Sequence, residues 1–279
     1  MRIGVSVPLQ VSCPDDADVQ SVGTDVLQGL HFAQETLGSS HELLVRDNQN
    51  SPGLMRKIAE EFSALQVDAV VGLPTSDEVH LTAQVLDPSI PLFTPMATSP
   101  ELAKYQNVFR TRCGDIHSVP ILVEHIKGKA YSNIASISED TAYAKDCAQL
   151  LANHAAAQEI CFLSTTVKTH SRELGQQMRE VLAANVDAAF LSSQDEEGYL
   201  RMLEVVRRFN PDLPVMGSAM PGSRKFQTLA GELANGIVYV SEPDQDASLT
   251  EYGKQYLKDY EARYGAPETG TYAISLSFA

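Results

Sequence analysis

Short apolar runs rich in β-branched residues alternate with longer segments of helical periodicity along almost the whole chain. The pattern begins with Ile3–Leu9, which predicts a strand, and Gly23–Leu37, which predicts an amphipathic helix. Strands that alternate with helices are typical of a parallel sheet covered by helices on both faces. The sequence therefore predicts a doubly wound α/β fold.

The alternation runs through two series of similar length. In the first series the predicted strands are 3–9, 41–45, 69–72 and 91–94, and the predicted helices are 23–37, 54–65, 77–86 and 100–105. In the second series the strands are 133–138, 159–163, 188–192, 214–217 and 236–240, and the helices are 119–127, 142–156, 171–184, 198–209, 223–229 and 250–264. Two series predict two lobes, with crossings near 111–118 and 241–247. We expect lobe one at 1–115 plus 246–279 and lobe two at 116–245.

The charge balance argues against two classes of partner. The chain has 36 acidic and 21 basic side chains, which gives a formal net charge of −15. Such a surface repels phosphate backbones and anionic lipid headgroups. No apolar run approaches the roughly 20 residues that cross a bilayer. We therefore expect no nucleic-acid partner and no direct membrane insertion. Solubility alone is enough to explain the acidic surface.

The cysteines and histidines predict no metal site. Cys13, Cys113, Cys147 and Cys161 are far apart in the sequence, and no CxxC or HExxH spacing occurs. Four cysteines allow three pairings between which the sequence does not choose. We expect mostly buried, small cysteines, and a disulfide stays open.

Motifs of common enzyme classes are missing from the sequence. There is no GxSxG, no GxxxxGK[ST] and no GxGxxG after the first strand, where the polar segment Gln10–Asp16 stands instead. His80, His117 and His125 have no recognisable nucleophile motif beside them in the sequence. We predict that the chain is not an enzyme and that it needs no cofactor.

Two turns are candidates for binding a polar group. Gly72–Glu78 follows the third strand and Thr94–Glu101 follows the fourth, and each leads into a helix. Backbone N–H groups at a helix N-terminus favour anions, so the turns could hold a carboxylate. The alternative is purely structural: Thr75–Glu78 has the pattern of a capping box, and Ser99–Glu101 that of an ordinary helix start. Asp77 and Glu78 would also oppose a nearby anion.

Several segments together resemble a known family. They are Ile3–Val5, the Gly23…Gly29 helix, Asp47…Pro52, Val70–Gly72, Asn107–Thr111, Ser138–Ala144, Val186–Phe190 and, most distinctively, Pro91–Leu102. The chain resembles the type I periplasmic solute-binding proteins, in the branch that binds branched-chain amino acids and related amides. The resemblance covers essentially the whole chain, with Asn107–Thr111 as the first crossing between lobes.

This resemblance implies two doubly wound parallel-sheet lobes joined by a hinge, which close on a small polar solute in the cleft between them. The implied role is delivery of an amino acid, amide or small carboxylate to the permease of an ABC-type transporter, in the periplasm or outside the cell. The alternative is a ligand-sensing domain of a signalling or regulatory protein, which could be cytoplasmic. The implied ligand-binding residues are Ser76, Met96, Ala97 and Thr98 in lobe one and Tyr143, Ser193 and Gln194 in lobe two.

Three departures from the family pattern qualify these expectations. Amino-acid binders carry an acidic residue after the strand that is Pro214–Gly217 here, but this chain has Ser218–Met220. A carboxylate or amide without an amine is therefore at least as well suited, unless Asp195 or Glu196 substitutes. The aromatic residue that follows strand one is replaced by Val22. The chain also stops at Ala279, soon after a Thr271–Ile274 helix start, so we expect a fold that is incomplete at the C-terminus.

Overall fold

The computed structural model describes residues 1–10, 17–156, 158–240 and 250–267. The chain divides into two compact units. Unit 1 comprises Met1–Cys113 and Pro243–Ala279, and unit 2 comprises Gly114–Glu242. Cys13, the second crossing predicted at 241–247 and the helix start predicted at 271–274 lie outside the described residues.

Strands and helices alternate in unit 1 as the sequence predicts. Its first segment contains β1 (Arg2–Val7), α1 (Ala17–Thr36), β2 (Glu42–Asp47), α2 (Pro52–Leu65), β3 (Ala69–Gly72), α3 (Ser76–Ala83), β4 (Leu92–Thr94), a 3₁₀ helix (Pro100–Lys104) and β5 (Val108–Arg110).

The same alternation continues in unit 2. It contains α4 (Asp115–Gly128), β6 (Asn133–Glu139), α5 (Ala142–Ala156), β7 (Cys161–Val167), α6 (Leu174–Ala183), β8 (Ala188–Ser192), α7 (Glu196–Phe209), β9 (Val215–Gly217), α8 (Arg224–Ala230), flanked by short 3₁₀ helices at Met220–Gly222 and Gly231–Ala234, and β10 (Val238–Tyr239). A last helix, α9 (Glu251–Tyr264), belongs to unit 1.

Both sheets are parallel and have the same topology. The strand order is β2-β1-β3-β4-β5 in unit 1 and β10-β9-β8-β6-β7 in unit 2. In each sheet the second strand along the chain pairs with one side of the first strand, and the third, fourth and fifth strands follow in order on its other side. This reversal places a switch point between β1 and β3 and another between β6 and β8, where open α/β sheets usually bind ligands. The predicted pair of doubly wound sheets is confirmed.

Each sheet is covered by apolar residues on both faces. In β3, Val70 belongs to one buried cluster and Val71 to another. In β8, Phe190 packs with the residues of α4 and α5, whereas Leu191 packs with those of α6 and α7. A strand buried on both faces reads as a continuous apolar run, which is why the sequence pattern identifies these strands correctly.

The bounds of several elements differ from the prediction, and two differences change how the sequence is interpreted. Asn107–Thr111 was expected to be a crossing, but Val108–Arg110 forms β5 and extends the sheet, with Phe109 opposite Phe93. Helix α1 begins at Ala17, six residues before its predicted start at Gly23. A Cβ on Gly23 would lie 2.1 Å from the carbonyl oxygen of Pro8. This glycine therefore permits close approach of helix and strand and does not mark the helix start.

The cysteine prediction is partly wrong. Cys147 is buried, but Cys113 and Cys161 are exposed, and all three are free thiols. Both exposed residues lie at element boundaries, Cys161 at the first position of β7 and Cys113 between β5 and α4. Among the described helices, none is both long and apolar enough to cross a membrane.

An aromatic cluster attaches α9 to α1. Phe32 makes edge-to-face contacts with Tyr256 and Tyr260, with ring centroids 4.8 and 5.6 Å apart. The Tyr260 hydroxyl donates to Gln28 Oε1 at 3.2 Å. Such pairs add to the free energy that burial of the rings already supplies, so the cluster fixes a late segment of the chain on an early one.

Candidate functional site

The turn after β3 is a capping box, as the structural alternative predicts. Thr75 Oγ1 accepts from the Glu78 backbone N–H at 3.2 Å, and Glu78 Oε2 accepts from the Thr75 N–H at 2.9 Å. Likewise, Ser99 Oγ accepts from the Glu101 N–H at 3.2 Å and begins the 3₁₀ helix. The turns therefore have structural roles of their own, and any role in binding is additional to them.

The structure brings the turn after β3 and the loop after β4 together. The Ser99 N–H donates to Ser76 Oγ at 3.3 Å. Thr94 Oγ1 accepts from the Ala97 N–H at 3.4 Å and donates to the carbonyl of Leu73 at 2.8 Å. The predicted residues Ser76, Met96, Ala97 and Thr98 consequently share the carboxyl edge of one sheet, and all but the half-buried Met96 are buried.

A half-buried cation supports the loop after β4. Arg110, at the end of β5, donates from Nη1 to the carbonyls of Thr98 and Ser99 at 3.3 and 3.1 Å. The guanidinium fixes the loop and places a positive charge beside its polar groups. The sequence did not point to Arg110, because its segment was interpreted as a crossing and not as a strand.

A buried carboxylate lies at the switch point of unit 1. Glu78 is 1% exposed, and its Oε1 accepts from Asn48 Nδ2 at 3.0 Å, while Asn48 Nδ2 lies 3.4 Å from Ser6 Oγ. Burial raises the pKa of Glu78 to about 7, against the opposing effect of its hydrogen bonds. Burial thus favours the neutral form of Glu78, which opposes an anion less than a full charge would.

A second carboxylate lies at the switch point of unit 2. Glu139 ends β6, and its Oε2 accepts from Ser193 Oγ at 2.9 Å and from the Gln194 N–H at 3.1 Å. Its Oε1 accepts from Thr169 Oγ1 at 3.1 Å. Burial raises the pKa of Glu139 despite these donors. One side chain thus connects the ends of β6, β7 and β8.

The predicted residues of unit 2 are placed differently from one another. Ser193 and Gln194 lie together at the end of β8, where the Ser193 hydroxyl also accepts from the Asp195 N–H at 3.1 Å. Gln194 Oε1 is buried and has no hydrogen-bond partner among the described residues. Tyr143 is half-buried in the first turn of α5, four residues after Glu139.

A groove of about 420 Å³ opens beside Glu139 at the ends of β6 and β7. Residues 139–141 and 167–171 line it, and they include none of the three residues predicted for lobe two. At its rim His170 Nε2 lies 3.1 Å from Asp195 Oδ2. Asp195 is also the N-cap of α7, so the loop after β8 is fixed from several sides.

The described residues offer no ready metal site. Within residues 1–10, 17–156, 158–240 and 250–267, no three His, Cys, Asp or Glu side chains are grouped as metal ligands would be. The polar edges of the two sheets instead present hydroxyls, backbone N–H groups and single carboxylates. This chemistry suits hydrogen bonding to a small organic molecule.

Comparison with known families decides the identity of the fold. A family model described as periplasmic binding protein matches residues 2–277. The chain belongs to the periplasmic binding protein family. Membership, which the resemblance in the sequence predicted, places the chain among binding proteins and not among enzymes. A search of curated proteins gives no match for this family member.

Solved structures of other binding proteins share the fold. The chain is similar to a leucine-binding protein from Thermotoga maritima, with a TM-score of 0.82, 16% identity, and coverage of 100% of this chain and 80% of that one. It is similar to an ABC-transporter solute-binding protein from Rhodopseudomonas palustris in complex with 3,4-dihydroxybenzoic acid, with a TM-score of 0.77, 15% identity, and coverage of 99% and 77%. It is also similar to a branched-chain amino acid binding protein from Streptococcus pneumoniae in complex with isoleucine, with a TM-score of 0.74, 19% identity, and coverage of 99% and 80%.

Proposed function

We propose that this periplasmic binding protein binds a small organic carboxylate or amide and delivers it to an ABC-type transporter outside the cytoplasmic membrane. The observation that carries the proposal is the polar edge of the unit 1 sheet. There the loop after β4 contacts Ser76 and receives hydrogen bonds from Arg110. A fixed loop with buried hydroxyls and a nearby guanidinium is suited to the carboxylate end of a solute.

The proposed ligand-binding residues are those that the family pattern implies: Ser76, Met96, Ala97, Thr98, Tyr143, Ser193 and Gln194. Arg110 joins them as the residue that holds the Thr98 and Ser99 carbonyls. Preformed donors lose little freedom on binding, which favours affinity for a solute of matching shape.

Asp195 and Glu196, the two residues that could substitute for the family's acidic residue, have partners of their own in unit 2. Asp195 Oδ1 and Oδ2 accept from the N–H groups of Glu197 and Gly198 at 3.1 and 2.6 Å. Glu196 Oε1 accepts from Ser223 Oγ at 3.1 Å, and burial raises its pKa. Both candidates for an ammonium partner thus already accept hydrogen bonds within unit 2, and burial disfavours the charged form of Glu196. Where the family pattern has an acidic residue, this chain has Ser218–Met220, and Ser218 Oγ is buried with no hydrogen-bond partner in the part of the chain that the structure describes.

Similar proteins indicate which compounds to test first. The relatives with bound ligands hold 3,4-dihydroxybenzoic acid, benzoate, leucine or isoleucine. We propose benzoates ahead of the amino acids, because they carry a carboxylate and no amine.

A thermal-shift screen tests this order directly. Benzoate or 3,4-dihydroxybenzoate at about 100 times its Kd should stabilise the fold by about 2.7 kcal/mol and raise Tm by several degrees. Leucine and isoleucine should give smaller shifts at equal concentration. A larger shift with the amino acids would reverse the proposed preference, and no shift with any carboxylate or amide would refute solute binding of this class.

Thr98→Ala should weaken binding of the compound that gives the largest shift by about 1–3 kcal/mol, because a buried hydroxyl of the loop is removed. Calorimetric titration measures the change. Thr98→Ser keeps the hydroxyl and serves as the matched control, with affinity close to that of the unmodified chain. Equal affinity in the alanine variant would exclude Thr98 from the site.

The transport role is a separate part of the proposal. It predicts that cells lacking this protein take up the bound compound more slowly at low concentration, while uptake at high concentration changes little. Unchanged uptake at all concentrations, together with confirmed binding, would favour the alternative role in sensing.

A further inference from the structure

Glu139 occupies a special position in unit 2. It is the last residue of β6, at the switch point of the sheet, and it contacts the loops that follow both neighbouring strands. Its Oε2 serves the loop after β8 through Ser193 and Gln194, and its Oε1 serves the loop after β7 through Thr169.

The three hydrogen-bond donors to Glu139 differ in how freely they can change direction. The single hydroxyl proton of Ser193 has a second acceptor, the Asp195 carbonyl, also at 2.9 Å, and the Thr169 hydroxyl can rotate. The Gln194 N–H, by contrast, has a direction fixed by the backbone. Hydrogen bonds to an ionised acceptor are stronger than those to a neutral one, so the charge on Glu139 adds to the order of both loops.

We propose that Glu139 is a positioning residue, whose carboxylate holds the loops after β7 and β8 of unit 2 in the arrangement that binds the solute. This inference rests on the proposed function, because Ser193 and Gln194 belong to the proposed ligand-binding residues. Glu139 acts through them.

The surroundings of Glu139 disfavour its charged form, so its hydrogen-bond donors are needed to hold it. Asp195 raises its pKa further, while His170 bonds to Asp195, and Asp140 and Lys168 line the same groove. A half-buried carboxylate to which none of the described cations bonds is unfavourable unless donors offset the loss of water. Here the loop donors offset part of this cost, and the pKa of Glu139 stays raised.

Hydrogen exchange of the Gln194 amide, followed by NMR in the protein without added solute, tests the inference independently of the ligand. Glu139→Gln retains one acceptor oxygen but no charge, and it should speed exchange about threefold to tenfold at pH 7.5. Glu139→Ala should speed it at least tenfold. After correction for intrinsic rates, the difference between the unmodified chain and Glu139→Gln should shrink as the pH falls, because protonation removes the charge.

Asp187→Asn is the matched control. Asp187 Oδ2 accepts from the N–H groups of Ser132 and Asn133 at 2.7 and 2.9 Å, at the opposite edge of the same sheet. Its replacement should speed exchange at residues 132 and 133 and leave the Gln194 amide unchanged. Equal Gln194 exchange in the unmodified chain and Glu139→Ala, or a pH-independent effect of Glu139→Gln, would overturn the inference.

Calorimetric titration with benzoate and with leucine completes the test. Glu139→Gln should lower the affinity for the compound that binds about threefold to tenfold, and Asp187→Asn should not change it. Faster exchange with unchanged affinity would refute a positioning role. If neither compound nor any other carboxylate or amide binds the unmodified chain, the proposed function fails on its own, whatever the exchange experiment gives.

Discussion

The two units differ in the element that supplies the carboxylate at the switch point of the sheet. Both have a five-stranded parallel sheet with the same strand order, and both hold a carboxylate by hydrogen bonds at the switch point. In unit 1 the carboxylate belongs to Glu78 of helix α3, whereas in unit 2 it belongs to Glu139 at the end of a strand. The same topology therefore fixes where a polar group is needed but not which element supplies it.

The comparison also shows how surroundings set the properties of each group. Glu78 is almost completely buried, and burial raises its pKa to about 7. Glu139 accepts from two hydroxyls and one backbone N–H across two loops, and its pKa is raised as well. Unit 1 thus has a capping carboxylate whose pKa lies near neutral pH, and unit 2 has a carboxylate that connects two loops.

The largest effect that separates the units is expected at the switch-point strands. Gly72 ends β3 opposite Ser6 with φ +109°, and a Cβ would lie 2.3 Å from the Ser6 carbonyl oxygen. Gly72→Ala should therefore lower the free energy of unfolding by about 3 kcal/mol or more. Ser192 has the corresponding position in β8, opposite Ser138. Ser192→Ala should change the free energy of unfolding by less than about 1 kcal/mol. Urea denaturation measures the stability change in both variants. Equal changes would contradict the expected difference between the ends of β3 and β8.

A smaller effect is expected from the titration of Glu78. Its pKa rises from 4.5 to about 7 on folding, so the folded state binds the proton more tightly. Stability contributed by this group is present below about pH 4.5 and is lost as the pH rises through 7, by about 3 kcal/mol in total.

Glu78→Gln removes this pH dependence, and urea denaturation at pH 5 and pH 8 detects the change. The variant should gain stability relative to the unmodified chain as the pH rises. Glu139→Gln should show the same direction with a smaller amplitude. Parallel pH profiles for Glu78→Gln and the unmodified chain would contradict the assigned burial of this carboxylate.

The smallest effects are expected at two buried tyrosines. Tyr199 packs edge-to-face on Phe226 in unit 2, and its buried hydroxyl has no hydrogen-bond partner among the residues that the structure describes. Tyr260 donates to Gln28 in unit 1. Tyr199→Phe should raise the free energy of unfolding by about 1 kcal/mol, whereas Tyr260→Phe should lower it by about 1 kcal/mol. Thermal unfolding of the two variants measures these changes. Shifts in Tm of the same sign would contradict the difference in hydrogen bonding between the two tyrosine hydroxyls.

The sequence predicts local features of this fold well. The alternation of strands and helices is local, so β3, β8 and α5 begin and end where the pattern places them. The strand β5 was missed, because three residues carry too little periodicity to distinguish a strand from a crossing.

Prediction of the candidate site succeeds where the signal lies within one turn. The capping box at Thr75 and the helix start at Ser99 are readable from four neighbouring residues. Glu139 was missed as a site residue, because its partners Thr169, Ser193 and Gln194 are 30, 54 and 55 residues away in the sequence. A carboxylate that directly follows a buried strand is the signal that could have identified it.

The attachment of α9 to α1 has a consequence for biosynthesis. Tyr260 and Gln28 are 232 residues apart in the sequence, so unit 1 cannot acquire this contact until the ribosome has released most of the chain. Unit 2 is continuous and can be complete earlier, since domains tend to fold as units during translation. At about 5–20 residues per second, the Phe32 surface of α1 stays uncovered for roughly ten seconds or longer, the interval in which a nascent chain of this kind would need protection by chaperones.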